Sequence, residues 1–382
     1  MRVARVVAVL TVPLLVLSAC RSPGVAEPSA PGTSASPAAA AIVVSSEVID
    51  PVAPTAAPLG SSGRATVTTA PTRTSTGAGT RTAAPVITPK PALPTVDPLT
   101  GGRPNSAPVI AVKIDNTYFG VAQFGVADAD VVFVEQVEGG LTRLIAVFHT
   151  TLSTEVGPVR SVRSTDAQLL PAFGRPALVF AGGAGGPMAA LRVTSVLDTS
   201  EMSGAYFRSP VAYGTYNLHA DLTKIAAAAT GLPPARFMGF TFAATSPLVA
   251  AGAPVDAIHL VMQAGGIDFR YGDGSYVRTR GGDDVRDYQG RPEQADNVLV
   301  QHVLDEPDGT VDSVGSPSYL SKTVGSGTVT LFRDGRAIPG TWKRAAVTYP
   351  FSYADAAGHP LPFKPGKTWV ALAPQSAQLT LG

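Results

Sequence analysis

Between Arg21 and about Pro94 the chain carries no Phe, Tyr or Trp and is mostly Ala, Pro, Ser, Thr and Gly, as in "PTRTSTGAGTRTAAPVITPKPALP" (71–94). No helical or strand period persists through it. A stretch of this kind cannot remove enough apolar surface from water to offset the entropy lost on ordering. The apolar island Ile42-Val43-Val44 is too short to change that. The segment 21–96 therefore reads as an extended tether. About 75 residues at ~3.1 Å each reach roughly 230 Å in a polyproline conformation. Its Ser, Thr and Pro content also permits O-glycosylation. Any fold has to be built from the residues on the carboxy-terminal side of this tether.

The residues ahead of the tether explain why one is needed. "MRVARVVAVLTVPLLVLSAC" sets Arg2 and Arg5 ahead of an apolar run from Val6 to Leu17. That run is shorter than the ~20 residues of a spanning helix and has the layout of a secretory signal peptide, residues 1–20. Leu17-Ser18-Ala19-Cys20 resembles the bacterial lipobox, which implies a diacylated (palmitate-type) Cys20 as the mature N-terminus. Two acyl chains suffice for stable anchoring. Cys20 is the single cysteine of the chain, so an exported protein without disulfides is consistent with a thiol committed to lipid. The alternative is a plain signal peptide with an incidental cysteine. The expected location is the extracytoplasmic face of the cell membrane, with the membrane itself as a partner through the anchor.

Order is expected from "VDPLTGGRPNSAPVIAVKIDN" (96–116) onward. Val109–Ile114 reads as a buried strand. "ADVVFVEQVE" (129–138) and "TRLIAVFHT" (142–150) read as an antiparallel hairpin around Gly139-Gly140. A short helix is expected near Ser164, with Val162, Leu169 and Leu170 inward, Thr165 to Gln168 as a capping box, and Pro171 limiting its length. "PALVFAGG" (176–183) is a further strand. Pro187 suits the first turn of a helix running to about Leu197. "HADLTKIAAAATG" (219–231) reads as a helix closed by Gly231. This alternation predicts an α/β domain, a mixed sheet with helices, over 97–246. Beyond it Asp273-Gly274 and Asp334-Gly335 mark hairpins. With strands at 297–304 and 368–374 they predict a β-rich domain over 247–382.

Few residue patterns carry chemistry. In "VGPVRSVRS" (156–164) Arg160 and Arg163 lie three apart, just after a Gly-Pro turn and next to the predicted helix start. Cations there oppose the helix dipole. They call either for internal carboxylates, with Asp115, Glu135 and Glu138 as candidates, or for an anion held by guanidinium forks and helix N–H groups. Arg143, at the start of its strand, can join either arrangement. Asn116 and Asn217 are further polar candidates. If the helix begins early enough, Arg160 and Arg163 share one face; in extended chain they point to opposite sides. The ligand would be a phosphate, a pyrophosphate or an acidic glycan.

Other constellations are weaker. "AGGAGG" (181–186) could cradle a phosphate, but it lacks a P-loop Lys-Ser/Thr, and close strand–helix packing accounts for its glycines. His149, His219, His259, His302 and His359 show no metal-ligand spacing, so neither a metal nor a cofactor is called for. His219 reads as a cap-region residue. Ser161 and Ser164 lack a nucleophile elbow, and Asp283-Asp284 reads as a solvated turn. A formal net charge of +1, with no basic run, gives no support for nucleic-acid binding.

Several segments together resemble the YerB-like lipoproteins, the DUF3048 family. They are "DPLTG" (97–101), "IAVKIDN" (110–116), "VEGGLTRLIAVF" (137–148), "GPVRSVRS" (157–164), "AGG" (181–183), "YNL" (216–218), "NVLVQ" (297–301), "GTWKR" (340–344) and "PGKTWVALAP" (365–374). The resemblance covers both family domains and implies a two-domain envelope lipoprotein without fixing a biochemical function. The chain departs from the family in having Tyr216-Asn217-Leu218 where His-Asn-Leu is usual, and Ala122-Gln123-Phe124-Gly125-Val126 where Pro-Gln-Ser-Gly-Leu is usual. Two function classes remain open. One is a non-enzymatic binding module for an anionic cell-wall component or an envelope protein. The other is an enzyme on wall or lipid-linked glycan, with the arginines as a pyrophosphate clamp and Asp115 and Glu138 as base or metal candidates. In pattern only, the order strand–arginines–helix is similar to that of the LytR-CpsA-Psr ligases. The first class is preferred because no acid/base pair is identifiable from the residues.

Overall fold

Three apolar runs form the centre of the molecule: β1 (Ile110–Asp115), β2 (Val131–Gln136) and β3 (Thr142–Phe148), buried along their whole length. Burial on both faces is what runs without polar alternation require. A computed structural model describes residues 95–117, 122–312 and 315–382. Cys20, the apolar leader and the tether up to residue 94 lie outside the described residues.

β2 and β3 form the expected hairpin, with Val131 opposite Val147 and Gln136 opposite Thr142. Gly139 and Gly140 turn it at φ of 65° and 71°, a region that glycine enters without steric cost. β1 pairs antiparallel with β3 on one side and parallel with β4 (Ala177–Val179) on the other. β5 (Leu197–Asp198) closes that edge. α1 (Ser164–Leu169) covers this part of the sheet, followed by a 3₁₀ turn at Leu170–Phe173. Val162, Leu169, Leu170 and Phe173 enter the core on the α1 face together with Phe133, Ile145 and Leu178. Each fully buried side chain of this size contributes about 1.5–3 kcal/mol.

Three local expectations shift. α2 (Gly185–Arg192) stops before Leu197, because the Thr194 hydroxyl bonds the Leu191 carbonyl at 2.7 Å and Leu197 pairs with Ala177 in the sheet. His219 lies in a strand: β6 (Tyr206–Arg208) and β7 (Leu218–Ala220) form an antiparallel ribbon. α3 (Leu222–Ala228) starts only after it, capped by Asp221. At α1, Asp166 rather than Gln168 supplies the capping carboxylate, accepting from the Arg163 N–H at 2.7 Å. Gln168 instead accepts from Thr323 N at 2.5 Å.

The second half supplies β8 (Ala257–Met262), β9 (Gly265–Gly272), β10 (Ser275–Arg280), β11 (Asn297–Val303), β12 (Asp305–Val311), β13 (Pro317–Ser321), β14 (Gly325–Arg333), β15 (Arg336–Arg344), β16 (Ser352–Ala354), β17 (Thr368–Pro374) and β18 (Gln378–Leu381). Both Asp-Gly hairpins form, with Asp273/Gly274 and Asp334/Gly335 at positive φ between β9–β10 and β14–β15. β8, β9, β10 and β18 belong to a separate six-stranded sheet. β12 and β13 pair only with each other, and the remaining strands continue the first sheet. Its eleven strands follow the path β16-β15-β14-β11-β17-β2-β3-β1-β4-β5, with Ala253–Pro254 added on β15. β17 lies parallel to both β2 and β11. The hydrogen-bonded sheet thus crosses the 246/247 boundary drawn from composition.

Candidate functional site

Residues two apart on a strand share a face, and the register turns that rule into a site. Asp115 lies opposite Arg143, and Arg143 lies opposite Glu135, in one row across β1, β3 and β2. Lys113, one pleat deeper on β1, faces the same way. All four belong to the face covered by α1.

Arg160 and Arg163 come to this row from the segment leading into α1. Arg160 N–H bonds the Lys113 carbonyl at 2.8 Å, and Val162 N–H bonds the Gly182 carbonyl at 2.9 Å. The backbone is therefore extended up to Arg163, the residue before the helix (φ −126°, ψ 163°). The shared helical face does not form. The two side chains go to different partners, as extended chain dictates. Gly157 holds the approach in place: a Cβ there would collide with the His219 ring.

Arg143 Nη1 and Arg160 Nε both lie 3.3 Å from the same oxygen, Asp115 Oδ1. Asp115 Oδ2 accepts from Thr117 N at 3.1 Å. Arg163 grips Glu138 with two nitrogens, Nε at 2.7 Å and Nη2 at 2.8 Å. Side-chain exposure falls from 23% at Arg160 to 15% at Arg163 and 9% at Arg143. Burial pushes Arg143 down from the ordinary arginine value; Asp115 pulls it back, while Arg160 and Arg163 add to the push. The three guanidiniums thus sense one another. Asp115 and Glu138 are their direct carboxylate partners, and the carboxyls of the group beneath face the same cluster.

Beneath them lies an ionisable group without solvent. Lys113 Nζ contacts Glu135 Oε1 and lies 2.9 Å from Asp166 Oδ1, and all three side chains are fully buried. One ammonium and two carboxyls are electrically neutral only when one carboxyl keeps a proton. Burial pushes Glu135 up to about 7, with Asp166 adding to the rise against the pull of Lys113 and Arg163. Sequence reasoning proposed Glu135 as an arginine partner and passed over Lys113 and Asp166. The signal was a lysine inside the otherwise apolar "IAVKI".

The remaining candidates face elsewhere. Asn116 Oδ1 accepts from Arg278 at 2.6 Å, and its amide donates to Thr142 Oγ1 at 2.8 Å. Asn217 Oδ1 accepts from Arg208 at 2.7 Å. His219 is buried, with Nδ1 2.7 Å from Glu155 Oε1. In "AGGAGG" a Cβ on Gly183 would come 2.6 Å from Val162 Cγ1, so close packing accounts for that glycine. Sequence reasoning missed the 209–217 loop. There Tyr216 lies under the Arg160 guanidinium, 5.2 Å from ring centroid to Cζ, and Thr215 O accepts from Arg160 Nη1 at 3.1 Å. A groove of about 570 Å³ on the outer side of α1, lined by Ala167, Pro171, Ala190, Val193 and Leu320 among others, is chiefly apolar. Among the described residues no helix is long and apolar enough to cross a membrane.

Two family models match the chain: the protein of unknown function (DUF3048) N-terminal domain over residues 97–235, and the DUF3048 C-terminal domain over 258–370. The crystal structure of the YerB protein from Bacillus subtilis is similar at 22% identity and a TM-score of 0.61, over 75% of this chain and 99% of that one. That likeness concerns the fold. No curated protein matches.

Proposed function

The chain belongs to the DUF3048 family, and from that premise we propose that it is a membrane-anchored cell-envelope lipoprotein whose arginine cluster binds an anionic envelope ligand. The observation that carries this reading is the way the arginines are engaged: Arg143 and Arg160 share a single oxygen of Asp115 while Arg163 uses both oxygens of Glu138, and the Arg160 side chain keeps 23% of its surface exposed. One shared carboxylate oxygen and the Thr215 carbonyl take only part of the five N–H donors of Arg160. An anion arriving at Arg160, the most exposed of the three, would engage the others through charge-assisted hydrogen bonds of ~1.5–3 kcal/mol. The anchor is Cys20, and the tether holds the binding domain away from the bilayer.

The reading as an enzyme has less support. Asp115 and Glu138, its base or metal candidates, are occupied by guanidiniums. Glu135, raised to about 7, is fully buried against Lys113.

The test is binding of pyrophosphate by Arg160→Ala and Arg163→Ala, each measured beside its melting temperature. Lost binding with melting preserved to within a few degrees supports the site. Collapsed melting, with no anion bound by the wild type, assigns the arginines to structure alone and ends the proposal. For the anchor, Cys20→Ala is expected to leave the protein unprocessed or to release it from the membrane; an unchanged membrane fraction would refute lipidation.

A further inference from the structure

Resting on the anion-binding reading, we propose that the ligand is a saccharide bearing a phosphate or carboxylate. Its charged group meets Arg160 and its sugar ring stacks on Tyr213.

The 209–217 loop is built for this. Its neck is closed where Ser209 N donates to Asn217 O at 2.7 Å. Ser209 Oγ donates to Glu155 Oε1 at 3.0 Å, and the same oxygen meets Nδ1 of the buried His219 at 2.7 Å. Arg208 Nη1 donates to Asn217 Oδ1 at 2.7 Å on the outer side. At the tip Tyr216 N bonds Tyr213 O at 3.0 Å. Gly214 takes φ 57° between them, a conformation that other residues adopt only with strain. A loop held at its neck and its tip keeps its aromatic rings in place before any ligand arrives, so little ordering cost remains to be met on binding.

The rings then continue the arginine site outward. The Arg160 guanidinium, fixed on Asp115, lies over the Tyr216 ring at 5.2 Å. The Tyr213 ring meets Tyr216 at 6.3 Å and 67°, an edge-on arrangement. Tyr213 is 67% exposed and Val211 52% exposed. A tyrosine offers a flat apolar face with a polar rim and only two side-chain torsions to immobilise. A pyranose has the matching shape: an apolar C–H face and a rim of hydroxyls. A bare anion would use the guanidinium and leave the rings in water. An apolar ligand would make no use of the guanidinium. A sugar with one acidic group engages both.

The experiment is titration of the full chain with inorganic phosphate, glucose 1-phosphate, glucuronate, acetate and adenosine monophosphate. Glucose 1-phosphate is expected to bind about 3–10-fold tighter than phosphate, and glucuronate tighter than acetate by a similar factor, the increment of one aromatic stacking contact. The larger of the two increments identifies the acidic group. Tyr213→Ala should abolish both increments while leaving phosphate affinity unchanged, and Tyr213→Phe should keep them. Arg160→Ala should weaken all the anions. Equal affinity for phosphate and glucose 1-phosphate together with equal affinity for acetate and glucuronate, increments that survive Tyr213→Ala, or adenosine monophosphate bound tighter than either sugar would overturn the saccharide assignment and leave the anion site standing. Absence of binding by every anion removes the anion site, and this inference with it.

Discussion

Arg143 and Arg278 both reach into the interior, 7% and 2% exposed, and their surroundings meet the charge in opposite ways. Arg278 is closed off. Its Nη1 lies 2.6 Å from Glu293 Oε2 and its Nη2 donates to Asn116 Oδ1 at 2.6 Å. Its plane lies 5.5 Å from the Trp369 ring, and Glu293 is itself fully buried. One cation meets one fully buried anion. Around Arg143, the Asp115 oxygen is shared with a second guanidinium, and the row opens to solvent at Arg160. The difference separates two uses of a buried arginine. A balanced pair fixes β10 against the loop after β1. A shared, partly exposed group keeps donors for something from outside.

The comparison can be broken most severely at its closed end. Arg278→Ala strands the buried Glu293 carboxylate and is expected to cost ~3–5 kcal/mol in urea unfolding. A loss below ~1 kcal/mol would make Arg278 no more structural than an exposed arginine and would erase the contrast.

A smaller effect is expected beneath the open end. The Glu135 carboxyl is raised to about 7 from an ordinary value of 4.5. Its contribution to stability is therefore fully present below that lower value and is lost as pH rises through about 7. The loss is on the order of a few kcal/mol. Glu135→Gln should remove this component, so the stability difference between wild type and variant should change between pH 4.5 and 7.5 and level off above. A flat difference across that range would mean that the proton of the Lys113–Glu135–Asp166 group resides elsewhere.

The smallest effect sharpens the comparison at its exposed rim. Arg160→Lys keeps the charge but loses the fork and the stacking on Tyr216. Stability should move by less than ~1 kcal/mol, as for other partly exposed ion pairs, while pyrophosphate affinity falls several-fold. Unaltered affinity would show that charge alone, without guanidinium geometry, serves the site.

Much of the local architecture was legible. The Gly139-Gly140, Asp273-Gly274 and Asp334-Gly335 turns each mark a hairpin, because positive φ is a demand the residue type itself records. Arg143, Arg160, Arg163, Asp115 and Glu138 were legible as a group for a similar reason: charges beside buried strands need partners. Less legible was who pairs with whom. The side to which Arg160 and Arg163 turn depends on whether α1 starts a few residues earlier or at Ser164, a margin that sequence patterns do not resolve. The Tyr213–Tyr216 platform carried no periodic signal, being a loop between two short strands. The pairing of β17 with β2 joins segments far apart in the chain and leaves no trace in either segment alone.

That last pairing bears on how the protein is made. β17, residues 368–374, fills the place between β2 and β11. Until the final stretch of polypeptide has been delivered, β2 has an open edge and the first half of the sheet has no neighbour on that side. An emerging chain of this design cannot finish its amino-terminal half first and its carboxy-terminal half second, the usual habit of domains. Maturation waits for the tail, and non-local closure of this kind is slow. For a protein exported as we propose, that delay is useful. Passage through a translocation pore requires an uncompleted fold, and on that proposal completion is deferred by topology until residues 368–374 have crossed.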